Sequence, residues 1–185
     1  MSVRPVRIYG DPVLRTRAAE VTSFDASLGE LAADMRETMK AYRGVGLAAN
    51  QVGVLQRILV VSVPADVEGE PDHEHTMVNP VIVGREGSEQ GEEGCLSIPG
   101  IFDDVPRSLD VTVRYLDERG EPHELEAHGY LARAIQHEVD HLDGVLFVDR
   151  LSPLKRQFLK RSLESLSRGE LPEGYHPGAG PEGRI

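Results

Sequence analysis

The apolar positions of this chain change period along its length. Leu28, Leu31, Met35 and Met39 recur at helical spacing, which predicts an amphipathic helix over about 25 to 42, ended by Gly44. The methionines in that stripe read as core. Ile58-Leu59-Val60-Val61-Ser62-Val63 is an unbroken apolar run stopped by Pro64, and it predicts a strand. Met77 to Val83 predicts another. Val111-Thr112-Val113-Arg114-Tyr115 alternates as a strand, and a turn around Glu118-Arg119-Gly120 leads to a further strand near His123 to Ala127. Gly129 to Leu142 predicts a helix with Leu131, Ile135 and Leu142 turned inward. Ser152-Pro153 opens a last helix reaching about Leu166, and Asp11-Pro12 marks a short helical start near the beginning.

Between these elements lie polar connections. Residues 64 to 76 read as a solvated acidic loop, and its His73-Glu74-His75 reads as part of that loop in preference to a metal site. Glu86 to Glu93 reads as an acidic, Gly-rich turn leading to Cys95. Residues 171 to 185 repeat Gly and Pro and are expected to be a disordered tail after a single domain spanning 1 to 170. No internal repeat is visible.

Composition narrows the function. The chain has 185 residues, enough for one domain with a substantial core. A net charge of −11 repels polyanions and argues against DNA as a partner. The single cysteine excludes an internal disulfide framework and suits a reducing cytoplasm. The first residues carry no apolar run behind their charges, so neither a signal peptide nor a membrane span is expected.

The chemistry concentrates in Gln136-His137-Glu138-Val139-Asp140-His141, which holds His-Glu-x-x-His. On a helix His137 and His141 lie one turn apart on one face and can grip one metal ion. Glu138 sits where it can take a proton from a metal-bound water. A third ligand is needed. One zinc-peptidase pattern is followed through Gly144 but puts Phe147 where its third histidine belongs, and a phenyl ring binds no metal. Glu164, in the last helix, reads as an exposed acid among lysines and arginines. Cys95 remains, flanked by Gly94 and two acids, poor company for a core position. A Cys-His-His set leaves one tetrahedral position open, the layout of a catalytic site. Gly44-Val45-Gly46 follows a helix instead of a strand, which removes the context a nucleotide-binding turn requires.

Three blocks together resemble the peptide deformylases: Gly44-Val45-Gly46-Leu47-Ala48-Ala49-Asn50-Gln51, Glu93-Gly94-Cys95-Leu96-Ser97, and Gln136 through Gly144. The resemblance extends over roughly residues 5 to 165. It departs at Phe102, where many bacterial members carry an arginine near the peptide's path, while Arg107 matches. The resemblance implies an α+β fold, with small mixed or antiparallel sheets packed around a central metal-binding helix and with an N-terminal and a C-terminal helix. It implies Cys95, His137 and His141 as ligands of one divalent ion, Fe2+ in the cell, with Zn2+, Ni2+ or Co2+ in purified protein. It implies Glu138 as general base and acid, and the Gln51 amide and Leu96 backbone N–H as donors to the oxyanion. Val45, Gly46, Tyr130, Arg133 and Ala134 would line a methionine pocket, with the Arg133 stem packed and its head in water, and Glu93 and Gly94 would join the substrate-binding residues. Independently of the resemblance, Gln136, Asp140 and Glu93 are candidates to hold the ligand histidines or Arg107 in place, with a solvated helix acid as the equal alternative for Asp140.

The implied reaction is removal of the formyl group from the starting methionine of new polypeptides, through attack by metal-bound hydroxide. A monomer is the family expectation. Lys155, Arg156, Lys160, Arg161 and Arg168 make the last helix basic. A solvated face with Leu154, Leu159, Leu163 and Leu166 packed inward is the default, and transient contact with the ribosome is the alternative. Two rival readings are an internal-peptide metallopeptidase using Glu164, and a non-catalytic metal-stabilised module, which would want a fourth ligand to close its site.

Overall fold

The computed structural model describes residues 2–65, 72–173 and 175. Helix α1 covers Ala26–Ala41 and starts at Asp25, whose side chain accepts the Ser27 N–H. Its buried positions Leu28, Leu31, Met35 and Met39 are the predicted stripe. The helix does not end on a glycine in the left-handed region. Arg43 takes that conformation, with φ of 55°, and the Gly44 N–H closes onto the Met39 carbonyl. Gly44 serves another purpose: a Cβ there would lie 2.8 Å from the Leu96 side chain.

An antiparallel sheet of five strands forms the centre, in the order β1-β2-β3-β6-β7. These are β1 (Gly46–Ala48), β2 (Ile58–Val63), β3 (His73–Glu86), β6 (Asp110–Leu116) and β7 (Pro122–His128). Two more strands, β4 (Glu89–Glu93) and β5 (Asp103–Arg107), form a separate antiparallel ribbon. Helix α2 (Gly129–Leu142) lies on one face of the sheet and α1 on the other. Side chains alternate across a strand, so Leu59, Val61 and Val63 join α2's Ile135 and Leu142, while Ile58 and Val60 join α1's Met35 and Met39. The unbroken apolar run of β2 thus reflects burial on both faces. A third apolar cluster gathers Leu14, Ile98, Ile101, Val105, Phe147, Leu163 and Leu166 around Cys95. Every residue from Leu131 to Leu142 is buried, because α2 is covered by the sheet on one side and by this third cluster on the other. The fold is α+β, with α2 at its centre.

Three sequence expectations need correction. His73, Glu74 and His75 are not loop. They extend β3, with His73 opposite Val63 and His75 opposite Val61, because β2 needs a partner along its whole length to satisfy its backbone groups. The rest of the expected acidic loop, residues 66–71, lies outside the described residues. The turn expected over Glu86 to Glu93 shrinks to Gly87 and Ser88, and Glu89–Glu93 pairs with Asp103–Arg107. In the last helix, α3 (Pro153–Ser167), Leu163 and Leu166 pack inward as expected, but Leu154 is 62% exposed. Phe158, one turn on, is 76% exposed. Most of the tail expected to be disordered lies outside the described residues. Among the described residues no helix is long and apolar enough to cross a membrane.

Ile135 is fully buried between α2 and the sheet. Ile135→Ala is expected to cost about 2–5 kcal/mol of stability, through lost burial and a residual cavity. Urea unfolding followed by circular dichroism measures it.

Candidate metal centre and active site

Helical spacing places the rings of His137 and His141 with centroids 5.0 Å apart. Cys95 enters from the turn after β4, with Sγ 3.2 Å from His141 Nε2. Ligand atoms of Cys95, His137 and His141 all lie within 4.8 Å of one another, and all three residues are buried. This is the one such cluster of His, Cys and acids among the described residues. Phe147, at the failed third-histidine position, stacks on His137 with centroids 6.2 Å apart and forms an apolar wall. Glu164 is exposed on α3 beside Lys160, at 3.8 Å, and takes no part in the cluster.

Behind His137 stands Glu93, with no exposed surface. Arg107 donates to its carboxylate through Nε at 2.8 Å and Nη2 at 2.9 Å. Arg133 Nη1 donates at 2.9 Å, and His137 Nδ1 lies 3.0 Å away. The bond at Nδ1 leaves His137 Nε2 for the cluster. Arg107 also reaches Asp140, which Arg150 grips from the other side through two bonds. Burial pushes the Glu93 carboxyl up, but Arg107 and His137 outweigh it and hold Glu93 well below the usual carboxylate range. Burial opposes charge on His137, yet its bonds to Cys95 and Glu93 outweigh that and push it up to about 10. His141 is pushed well below its ordinary value by burial and by the charge on His137. A sulfur and two imidazole nitrogens converging on one point are a donor set suited to a cation.

Glu138 projects from the next position on α2 and is 2% exposed. Burial pushes its carboxyl up to about 7. Its Oε2 is buried with no hydrogen-bond partner. A buried carboxylate oxygen left unpaired is costly unless it serves a ligand or water. The strand β1 passes so close that a Cβ on Gly46 would lie 2.4 Å from Glu138 Oε1. An S,N,N donor set with an unpaired oxygen beside it therefore fits a divalent ion with one coordination position left for solvent or substrate.

Gln51 lies in a 3-10 turn, Ala49–Val52, and is 1% exposed, not the surface amide its polar type alone suggests. Its Oε1 accepts the Ala48 N–H at 2.8 Å, and its Nε2 sits 3.6 Å from Cys95 Sγ. Leu96 follows Cys95 and packs its side chain toward Gly44. Val45 and Gly46 are buried where the chain enters β1, Gly94 is buried between Glu93 and Cys95, and Ala134 is fully buried on α2. Tyr130 is 36% exposed at the start of α2.

Three expected roles do not match this geometry. Arg133 does not keep its head in water. Its guanidinium is buried against Glu93 and the carbonyls of Glu89, Gly91 and Val105, because the charge on Glu93 and the end of the β4-β5 ribbon need those donors. Glu93 is likewise enclosed by Arg107, Arg133 and His137, so it supports the centre and has no face left for a substrate. Gln136 holds neither ligand histidine. It clamps the Ser108 backbone, accepting its N–H at 3.1 Å and donating to its carbonyl at 2.9 Å. Asp140 is not a solvated acid, being bound between two arginines. Ser97 and Arg150 are functional residues without an expected role in the sequence. Ser97 stood inside the second motif block, whereas Arg150 carried no local signal.

A buried cysteine and two histidines on one helix, with an unpaired carboxylate beside them, define a mononuclear metallohydrolase type of centre. Comparison with known proteins narrows the class. The sequence model of the polypeptide deformylase family matches residues 3–157. A peptide deformylase of Alkalilimnicola ehrlichii is 48% identical over 168 residues, covering 91% of this chain and 93% of the relative. The crystal structure of peptide deformylase from Thermus thermophilus superposes with a TM-score of 0.83 at 44% identity, covering 90% of this chain and 99% of that one. The Ehrlichia chaffeensis peptide deformylase, solved in complex with actinonin, superposes with a TM-score of 0.84 at 41% identity over 93% of this chain and all of that one. The chain belongs to the polypeptide deformylase family.

Arg107 is 4% exposed and serves both Glu93 and Asp140. Arg107→Ala is expected to cost about 3 kcal/mol, the lower end for breaking a buried pair, since Arg133 and Arg150 still serve the two carboxylates. Chemical unfolding reads the stability. Competition with a chelator should show metal affinity reduced about 10–100-fold, because Glu93, which fixes the His137 ring, loses the two Arg107 bonds that hold it.

Proposed function

We propose that the protein removes the formyl group from the N-terminal formylmethionine of newly made polypeptides, with Cys95, His137 and His141 holding one divalent ion. The observation that carries the reading is the Cys95–His137–His141 cluster with Glu138 beside it, in a chain of the deformylase family. When bound, the ion supplies an acidified water, lowering its pKa from about 16 to about 7, which is roughly 12 kcal/mol of help in making a nucleophile. Glu138 accepts the proton given up in the attack on the formyl carbon and returns it to the leaving nitrogen. Burial pushes the Glu138 carboxyl up, which favours its taking and returning a proton. The Gln51 Nε2 amide and the Leu96 backbone N–H donate to the oxyanion as it develops, a contribution typically worth about 10²–10³-fold per donor. Val45, Gly46, Tyr130 and Ala134 take the methionine side chain, and Gly94 borders the peptide's path. The formyl carbon bears only hydrogen, so the narrow approach set by β1 against Glu138 favours it over bulkier acyl groups.

Ferrous iron is the proposed ion in the cell, with Zn2+, Ni2+ or Co2+ as substitutes in purified protein. A thiolate with two imidazoles accepts any of these. The protein is proposed to act in the cytoplasm, as a monomer, on nascent chains. Transient contact with the ribosome through α3 is supported by the exposure of Leu154 and Phe158 among Arg156, Lys160 and Arg161.

Formate release from a formyl-Met-Ala-Ser peptide, with protein purified without oxygen, tests the main reading. Glu138→Ala should keep its metal and lose about 10²–10⁴-fold in rate. Cys95→Ala should lose the metal and Glu164→Ala should not, whereas the reverse would favour an internal peptidase. Absence of formate release from metal-loaded protein would refute deformylation. For α3, co-sedimentation with ribosomes should fall with added salt and vanish when Arg156 and Arg161 are reversed to Glu. Binding unchanged by the reversal would leave the basic residues as a solvated face.

A further inference from the structure

We propose that Ser97 is a positioning residue that aims the Gln51 side-chain amide at the reacting oxygen while its main chain steadies the Cys95 sulfur. The inference rests on the deformylase reading above. Gln51 and Ser97 come from segments far apart in sequence, yet the Gln51 Nε2 lies 3.3 Å from Ser97 Oγ. Ser97 is fully buried. A primary amide has an accepting end and a donating end, and only the donating end stabilises an oxyanion. The Ala48 N–H, at 2.8 Å, fixes Oε1 on the far side. The Ser97 hydroxyl oxygen accepts from Nε2 and fixes the near side. One Nε2 proton is thereby engaged, and the second faces Cys95 Sγ at 3.6 Å, which aims it into the centre where the reacting oxygen would arrive.

The serine can do this because its own backbone is pinned. Its N–H lies 3.4 Å from Cys95 Sγ, and its carbonyl accepts the Tyr9 N–H at 2.8 Å. Two residues earlier, the Arg7 N–H donates to the Gln51 carbonyl at 2.7 Å. The short segment from Arg7 to Tyr9 therefore clips the backbones of Gln51 and Ser97 at a set separation. With both backbones held, the side-chain bond between them fixes the amide's direction. Alanine at 97 keeps every main-chain contact and removes only the acceptor.

The test combines Ser97→Ala, Gln51→Ala and the double variant, with formate-release kinetics, metal content and side-chain amide hydrogen exchange by NMR. Ser97→Ala should lower kcat about three- to tenfold, the equivalent of one net hydrogen bond, with KM within about twofold and metal content as in the parent. In the Gln51→Ala background the same change should cost nothing further, because Ser97 acts through Gln51. The Gln51 amide protons should exchange slowly in the parent and faster in Ser97→Ala. An unchanged kcat, an equal loss in both backgrounds, or loss of metal would overturn the assignment. Gln51 protons that exchange in the parent as fast as those of an exposed glutamine would overturn it without any variant. A parent that releases no formate would refute the deformylase reading instead, and the exchange measurement would still report on the Ser97 contact.

Discussion

A carboxylate removed entirely from water is unfavourable by several kcal/mol unless donors surround it, and the arrangement of this protein around Glu93 follows from that requirement. Arg107 comes from β5, Arg133 and His137 from α2, and Glu93 itself from the end of β4. Satisfying one side chain thus docks the two-stranded ribbon against the central helix. The docking delivers Cys95, two residues beyond Glu93, to the face of α2 that carries both histidines. Arg107 and Arg150 share Asp140, which extends the pairing down the helix to the segment before α3. A buried ionic cluster of this kind is poor evidence of stability, since well-packed apolar groups can do as well. Its value here is geometric: it fixes one rotamer and one proton position on His137.

Such convergence leaves little room, and two glycines supply it. Gly91 lets β4 pass over the Arg133 guanidinium, where a Cβ would lie 2.8 Å away. Gly46 lets the edge strand β1 lie against the Glu138 carboxylate. In both places the missing side chain is what brings a backbone and a charged group together, so these positions read as part of the site and not as loops. The third close approach, Gly44 against Leu96, links the end of α1 to the residue after the cysteine.

Much of this was legible from local pattern. The helices α1 and α2, the apolar run of β2 and the alternation of β6 each carry their period within one segment. The two histidines and their neighbouring acid could be read from helical spacing alone. What could not be read depends on partners distant in sequence. Glu89–Glu93 looks like an acidic turn because its stabilisation comes from Asp103–Arg107, and His73–His75 looks like loop because the ladder to β2 decides it. Arg133 was expected in water because arginine heads usually are, and only the position of Glu93 puts it inside. Leu154 was placed inward from the period of α3, but the helix meets the core mainly through its last turns, at Leu163 and Leu166.

Glu93 and Glu138 show how one centre gives two buried glutamates opposite tasks. Glu138 projects from α2, Glu93 packs against it from the end of β4, and both are almost without exposed surface. Glu93 is surrounded by guanidinium and imidazole donors, so it stays ionised and its charge steadies His137. Glu138 faces a strand edge with one oxygen unpaired, so burial dominates and its proton affinity rises to about 7. Exchanging those environments would leave a base too weak to take a proton and a support that binds one too readily. The distinction between support and proton carrier is therefore made by the neighbours, and Arg107 and Gly46 are the residues that make it.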